Sequence, residues 1–158
     1  MIASALAGGV IGTLAMTSII KAATELGITR MDLPLLLGTV ATGNRRKARA
    51  LGYLLFFVLG VAFAEAYGGL FAIVGHASWR LGAVVGALHA IFIATVLVSV
   101  LLPAVHPRMA TPDSAANAVT LIEPPGFLML NYGRNTFLVS LAAHVVYGAL
   151  VGLLVGLP

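Results

Sequence analysis

The stretch LGYLLFFVLGVAFAEAYGGLFAIV, residues 51–74, decides the fold of this chain. It carries a single charged side chain, Glu65, and it exceeds the roughly 20 apolar residues that a helix needs to cross a bilayer. Because hydrocarbon offers the backbone no hydrogen-bond partners, a stretch of this kind must be helical. We therefore predict a transmembrane helix that holds a carboxylate near its middle.

Three more stretches have the same character, and the composition of the whole chain agrees with them. They cover residues 2–23, 81–102 and 137–157. Of the 158 residues, 60% are hydrophobic and only 9% are charged, whereas soluble domains carry about 25% charged residues. The sequence predicts an all-α integral membrane protein, a four-helix bundle that forms one domain over residues 1–158. Cysteine is absent, which excludes disulfides and thiolate metal sites.

The basic residues indicate how the helices are oriented. Of nine Lys and Arg residues, only Arg80 follows the short connection after the second span, and the others lie in or beside the two long loops. Positive charge marks the cytoplasmic side, so we predict a bacterial inner-membrane protein with both termini outside. We expect no cleaved signal peptide, because no basic segment precedes the first span. The charges cluster beside apolar segments, which argues against nucleic-acid binding and makes the lipid bilayer the expected partner.

The two halves of the chain share short motifs in the same order. The matching pairs are GGVIGTL (8–14) and GAVVGAL (82–88), TRM (29–31) and PRM (107–109), and YGGL (67–70) and YGAL (147–150). We infer two tandem helix–loop–helix hairpins, residues 1–75 and 76–158, related by an axis along the membrane normal.

Both long loops contain apolar segments that are too short to span a bilayer. LPLLLG and PPGFLML are expected to form short helices at the headgroup level, or to dip into the membrane where protein covers them. Several charged or titratable side chains would lie at this cytoplasmic surface, in contact with lipid headgroups: Arg30, Asp32, His106, Arg108 and Arg134. An Arg–Asp or Arg–Glu pair could bridge the two loops. His106 could cap free carbonyl groups, or join Arg108 in binding a phosphate group.

Every span carries small residues four positions apart, the spacing that lets helices in lipid approach closely. Glycine supplies most of these rows: Gly8 and Gly12, Gly82 and Gly86, and Gly148, Gly152 and Gly156. The rows predict a compact bundle, and some of them could instead serve a homo-oligomer or a larger membrane complex.

Three ionisable side chains are predicted near the middle of the membrane. At about 1.5 Å of rise per residue, Glu65, His89 and His144 fall within about 8 Å of one another in depth, and each lies three or four residues from a glycine. An ionised carboxylate at that depth costs about 2.5 kcal/mol or more. We therefore expect Glu65 to meet both imidazoles inside the bundle. Further polar side chains could complete the cluster: Thr13, Thr17, Tyr67 and Tyr147.

Three interpretations of this cluster remain open. Two histidines and a carboxylate could bind a divalent metal, with Glu65, His89 and His144 as ligands, or the two histidines could ligate haem. A buried Glu–His pair could instead relay a proton or hold a small ligand. The third interpretation is an interhelical hydrogen bond that only fixes the register of the helices.

The segments GITRMDLPLLLGT, NRR, HPRM and PPGFLMLNYG resemble motifs of small uncharacterised bacterial four-span integral membrane proteins. The resemblance extends over nearly the whole chain. It implies the four-span architecture and carries no activity.

These observations lead to one main hypothesis and two alternatives. The main hypothesis is a carrier or membrane subunit, such as a small transporter, whose Glu/His site handles a proton, a metal or a small ligand. The first alternative is a non-catalytic accessory or scaffold subunit of a larger membrane complex. The second is an enzyme that acts on lipid at the apolar loops. Catalytic motifs of soluble enzymes are missing from the sequence, so an enzyme is the less favoured class.

Overall fold

The computed structural model describes residues 2–110 and 122–157. In chain order the helices are α1 (Ile2–Glu25), the short α2 (Leu33–Gly38), α3 (Arg45–Val74), α4 (Trp79–Val105), a 3₁₀ helix (Phe127–Tyr132) and α5 (Thr136–Val155). The four long helices form the bundle, and the two short ones lie in the long loops.

All four long helices are long and apolar enough to cross a membrane. Large apolar side chains point outward along them, and Leu54, Ile73, Leu88, Val100 and Leu138 are between 60% and 86% exposed. An apolar surface that covers the whole bundle belongs against lipid rather than water. The predicted all-α four-helix bundle is confirmed, and its surface supports the prediction of a multi-pass membrane protein.

The start of α3 differs from the prediction. The apolar stretch begins at Leu51, but the helix begins at Arg45 and includes the basic segment that precedes the stretch. Asn44 explains the early start, because its side chain accepts a hydrogen bond from the Lys47 amide (3.1 Å) and so satisfies one of the free donors of the first turn. The other three spans end within about one turn of the predicted boundaries, the usual uncertainty of helix ends.

The helix α4 is not uniform, which the sequence pattern did not predict. It is α-helical as far as Phe92, π-helical from Ile93 to Leu101, and α-helical again to Val105. Wider π turns of this kind are rare and occur frequently at functional sites. Within the π segment, the Ser99 hydroxyl donates to the Gly126 carbonyl (2.8 Å), which ties α4 to the second long loop.

The segment LPLLLG forms the short helix α2, as predicted for it. Asp32 caps this helix, because its side chain accepts a hydrogen bond from the Leu35 amide (3.0 Å). The backbone of α2 lies directly on α3: a Cβ atom on Gly38 or Gly52 would overlap the backbone of the facing helix. The apolar segment is therefore covered by protein, which explains how it avoids water.

The long helices stand in the order α3, α1, α5, α4. Helix α1 packs between α3 and α5, and α4 packs on the other side of α5. Glycines permit the closest approach, because Gly82 faces the Gly148 carbonyl and Gly86 faces the His144 carbonyl without room for a Cβ atom. Helices α3 and α4 make little direct backbone contact, so the bundle is open on this side.

Two arginines join the long loops at one end of the bundle. Arg30 in the first loop donates to the Asn131 carbonyl (2.5 Å) and pairs with Glu123 (3.5 Å) in the second loop. In return, Arg108 in the second loop donates to the Thr39 carbonyl (2.8 Å) in the first. The expected Arg–Glu bridge is confirmed, and the reciprocal contacts hold both loops on the same side of the bundle.

Candidate functional site

The structure brings together four of the residues that were predicted to share a site. The His89 and His144 rings lie edge to face, with centroids 5.1 Å apart. The Tyr67 hydroxyl lies 3.0 Å from His89 Nδ1, and the Tyr67 and Tyr147 rings are 5.7 Å apart. These four side chains, which we call the histidine–tyrosine cluster, come from α3, α4 and α5.

Glu65 lies apart from this cluster. On α3, Phe63 and Tyr67 face His89, with the Phe63 and His89 ring centroids 4.2 Å apart. Glu65 is two residues from each of them and therefore lies on a different side of the helix, the side where Gly68 packs against α1. Its Oε1 atom is buried and has no hydrogen-bond partner in the described part of the chain. The expected contact of Glu65 with the imidazoles is not formed.

The two cofactor interpretations fit this arrangement poorly. Within residues 2–110 and 122–157, no three His, Asp or Glu side chains are placed to hold a metal ion, so the three-ligand site that includes Glu65 is not formed. The two imidazoles are already in contact at 5.1 Å. This leaves no space for a porphyrin between them.

The two threonines serve helix packing. Thr13 is buried, and its Oγ1 atom lies against Gly60 of α3, where a Cβ atom would overlap it. The Thr17 hydroxyl donates to the Thr13 carbonyl of its own helix (2.6 Å). Tyr147 also contacts this region, since its hydroxyl donates to the Gly60 carbonyl (2.5 Å). Tyr147, a member of the cluster, thus also joins α5 to α3 through this hydrogen bond.

Hydrogen bonds assign the proton on each neutral imidazole. His144 Nδ1 lies 2.8 Å from the Ser140 carbonyl oxygen, which can only accept, so His144 carries its proton on Nδ1. The Tyr67 hydroxyl is buried and has no other acceptor among the described residues, so it donates to His89 Nδ1. The His89 proton is therefore on Nε2, and this buried N–H has no partner in the same residues.

An apolar groove leads to the histidine–tyrosine cluster. It lies where α3 and α4 separate, it has a volume of about 400 Å³, and residues of α1 and α5 form its floor. Its walls include Phe56, Leu59 and Phe63 from α3, and Ile93, Leu97 and Leu101 from α4. This α3–α4 groove ends at His89 and His144 on one side and at α2 on the other. Its volume lies in the range of small-molecule sites, about 300–1,000 Å³.

The α3–α4 groove opens sideways, toward the outside of the bundle. At its rim, Leu59, Leu101 and Val105 are 43%, 47% and 74% exposed. These side chains would touch lipid chains if the bundle spans a membrane. A molecule could therefore enter the groove from the hydrocarbon layer without crossing a polar surface.

His106 and Arg108 bind the protein's own backbone. His106 is 5% exposed, and its Nε2 atom lies 3.2 Å from the Leu36 carbonyl near the end of α2. Arg108 binds the Thr39 carbonyl at the same helix end. His106 thus has the first of its two predicted roles, but the carbonyl it caps belongs to α2 rather than to its own helix.

The remaining predicted surface residues lie at the same end of the bundle. Asp32 caps α2 and also pairs with Arg49 of α3 (2.9 Å). Arg30 donates to the Asn131 carbonyl in the second loop. The Arg134 residue is exposed.

Sequence reasoning missed Phe63 and Ser140. Phe63 stacks on His89 and forms part of the groove, and Ser140 assigns the proton of His144. The sequence did contain an indication that Phe63 belongs to the site, because Phe63 and Tyr67 are four residues apart and therefore share a helix face.

No family model, curated protein or solved structure matches this chain. The resemblance to four-span bacterial membrane proteins therefore stays a prediction. Function has to be argued from the site, because a helical bundle by itself implies no activity.

Proposed function

We propose that this protein is a small multi-pass protein of the bacterial inner membrane that binds a lipophilic molecule in the α3–α4 groove. It recognises a carbonyl or hydroxyl oxygen at the end of that molecule. One observation carries the proposal: His89 lines a mainly apolar groove, and its Nε2 atom is buried without a hydrogen-bond partner among the described residues. Leaving a buried donor unpaired costs about 1–3 kcal/mol, and an oxygen atom of the ligand would recover this cost.

The chemistry of the site defines the class of ligand. His89 Nε2–H donates to a ligand oxygen, and His144 Nε2, which carries no proton, can accept from a hydroxyl group. Apart from Tyr147, whose hydroxyl donates to the Gly60 carbonyl, the other side chains that line the groove are apolar, and none carries a formal charge. A charged ligand would lose its hydration there without compensation, so the ligand is an uncharged chain or ring system with a polar end.

The orientation in the membrane rests on the loops. Both long loops lie at one end and hold each other through Arg30 and Arg108, and most of the basic residues lie in or beside them. Trp79 and Arg80 lie at the opposite end, at the start of α4. The positive-inside rule then gives cytoplasmic loops and outside termini.

The alternative hypotheses receive less support from the structure. The abundant glycine faces were one motive for the scaffold hypothesis, beside the short outer connection and the small size of the protein, and Gly82, Gly86 and Gly148 pack inside the bundle. The lipid enzyme was suggested by the apolar loops with Arg30, Arg108 and Arg134, and of these arginines Arg30 and Arg108 bind backbone carbonyls. The small-ligand part of the main hypothesis is the part that the groove supports.

A matched pair of probes tests the proposal. The protein in nanodiscs is titrated with a long-chain methyl ketone and with the alkane of the same length, and bound probe is counted by native mass spectrometry. The two probes differ only in the oxygen atom. We expect the ketone to bind about tenfold more tightly, because a hydrogen bond to an otherwise unpaired donor contributes about 1.4 kcal/mol.

Two variants control this experiment. His89→Phe keeps a planar ring but removes the donor, so the preference for ketone should disappear while alkane binding stays. His76→Phe changes an exposed histidine of the α3–α4 connection and should leave the preference intact. Equal binding of both probes by the unaltered protein would mean that the groove accepts any hydrocarbon chain, and the proposed recognition would be wrong.

A further inference from the structure

A second cavity, between α1 and α3 near the loop end of the bundle, combines charged and apolar walls. Its volume is about 420 Å³. We call it the α1–α3 cleft. Four charged residues line it, and none of them lines the α3–α4 groove: Lys21, Glu25, Asp32 and Arg49. The cleft shares Phe56 with the groove and is otherwise lined by different residues, so it is a second site.

The four charged side chains of the cleft form two ion pairs. Lys21 Nζ lies 3.7 Å from Glu25 Oε1, with both side chains about two-thirds exposed (65% and 68%). Arg49 lies 2.9 Å from Asp32, and the arginine side chain is 49% exposed. Ion pairs between exposed side chains, such as Lys21 and Glu25, contribute little to stability. Lys21 and Glu25 can therefore exchange partners with a ligand at little cost, whereas Asp32 also caps α2 and would keep that hydrogen bond. The four charges sum to zero.

The inner wall of the cleft is apolar. Ile20, Met31 and Phe56 line it and are 5%, 1% and 9% exposed. Lys21 and Glu25 lie in the last turns of α1, at the predicted boundary between hydrocarbon and headgroups. The cleft thus places balanced charges at the membrane surface above an apolar wall, which is the arrangement of polar and apolar parts in a phospholipid.

We propose that the α1–α3 cleft binds a zwitterionic phospholipid whose headgroup ends in a primary ammonium group. The phosphate binds Lys21 and Arg49, and the ammonium donates to the carboxylates of Glu25 and Asp32. An acyl chain lies against the apolar wall. A primary ammonium has three N–H donors for carboxylates, whereas a quaternary ammonium has none, and an anionic headgroup would leave both carboxylates facing negative charge.

Competition between lipids tests this assignment. The protein is placed in nanodiscs that contain phosphatidylethanolamine, phosphatidylcholine and phosphatidylglycerol with identical acyl chains, and retained lipid is identified by native mass spectrometry. We expect phosphatidylethanolamine to be retained about tenfold over each of the others, since hydrogen bonds between charged groups are among the strongest. Equal retention of phosphatidylcholine, or stronger retention of phosphatidylglycerol, would overturn the proposal.

Variants separate the roles of the two charges. Glu25→Gln should abolish the preference for phosphatidylethanolamine over phosphatidylcholine. Lys21→Gln should weaken the retention of both of these lipids. Glu123→Gln removes an exposed carboxylate outside the cleft and should change neither. An unchanged preference in Glu25→Gln would contradict the proposal. So would equal competition by water-soluble glycerophosphoethanolamine, because the apolar wall would then contribute nothing.

Discussion

The α1–α5 and α3–α4 interfaces would be equivalent if the chain is two tandem hairpins, as the repeated motifs predict, yet only the first is closed. In the first, Gly8 and Gly12 of α1 lie against Val151 and Tyr147 of α5. In the second, the helices separate and enclose the apolar groove. Two interfaces that the repeat would make equivalent thus differ: α1 and α5 pack closely, whereas α3 and α4 enclose a cavity.

The two interfaces also differ in the size of two side chains. In the alignment of the repeated motifs, Phe63 and His89 of the open interface correspond to Ala143 and Ala15 of the closed one. The rings of Phe63 and His89 contact each other at a tilt, with centroids 4.2 Å apart, where the closed interface has two alanines. Helices in lipid approach closely through small residues, and the open interface has large ones at these two positions.

The largest loss of stability should follow from replacing a glycine of the closed α1–α5 interface by a larger residue. A Cβ atom on Gly12 would lie 2.8 Å from Tyr147 Cδ2, so Gly12→Leu must displace a buried ring. We expect the free energy of unfolding to fall by about 3 kcal/mol, measured by denaturant unfolding in detergent. Gly69→Leu is the matched control, because nothing lies within 4 Å of its Cβ position. If both variants unfold alike, the closed interface is not as tight as described.

The two arginines that join the long loops should differ in how much they contribute to the free energy of unfolding. Arg108 is partly buried and donates to two carbonyls, those of Thr39 and Val40, whereas the Arg30 side chain is 70% exposed. Arg108→Ala should lower the free energy of unfolding by about 2 kcal/mol, and Arg30→Ala by less than about 1 kcal/mol. A larger loss for Arg30 would show that the loops depend mainly on the exposed ion pair.

Much of this architecture could be predicted from the sequence, because hydropathy and length decide whether a stretch is a spanning helix. The short helix LPLLLG was also predictable, since an apolar segment of that length has few alternatives. The early start of α3 was missed because the basic residues after Asn44 look like a loop, although a helix can project beyond the hydrocarbon layer.

The site was only partly predictable, because periodicity shows which face of a helix is packed and not which neighbour it faces. Glu65 shares a side with Gly68, and that side does pack, but against α1 rather than α4. His89 and His144 do lie next to each other, as expected, because α4 and α5 approach through glycines. The groove depends on the order of helices around the bundle, which no local pattern contains.

A third prediction concerns the open interface alone. Tyr67→Phe removes the hydroxyl that donates to His89 Nδ1 and leaves a buried acceptor unpaired. We expect the free energy of unfolding to fall by about 1 kcal/mol, less than at the closed interface. Thermal unfolding in the same detergent measures this. An effect as large as that of Gly12→Leu would show that the open side contributes as much stability as the closed side.

A further effect on stability is expected at alkaline pH in the second loop. Burial, with the nearby Glu123 carboxylate, raises the pKa of Tyr132 from 10.0 to about 12, while Arg30 opposes the shift. The folded state therefore keeps the phenol proton where the unfolded state loses it, so this contribution to stability is present below pH 10.0 and is lost as pH rises to about 12. Unfolding across that range should affect Tyr132→Phe less than the unaltered protein. Parallel curves would contradict the assignment.

The histidine ring nitrogens provide the most direct test of the open interface as a binding site. Nuclear magnetic resonance of isotope-labelled histidine, with His89→Phe to assign the signals, reports which nitrogen carries the proton. We predict that His89 carries the proton on Nε2 and that the methyl ketone, but not the matched alkane, shifts this Nε2 resonance. A proton on Nδ1 of His89, or an Nε2 resonance that the ketone leaves unchanged, would contradict it.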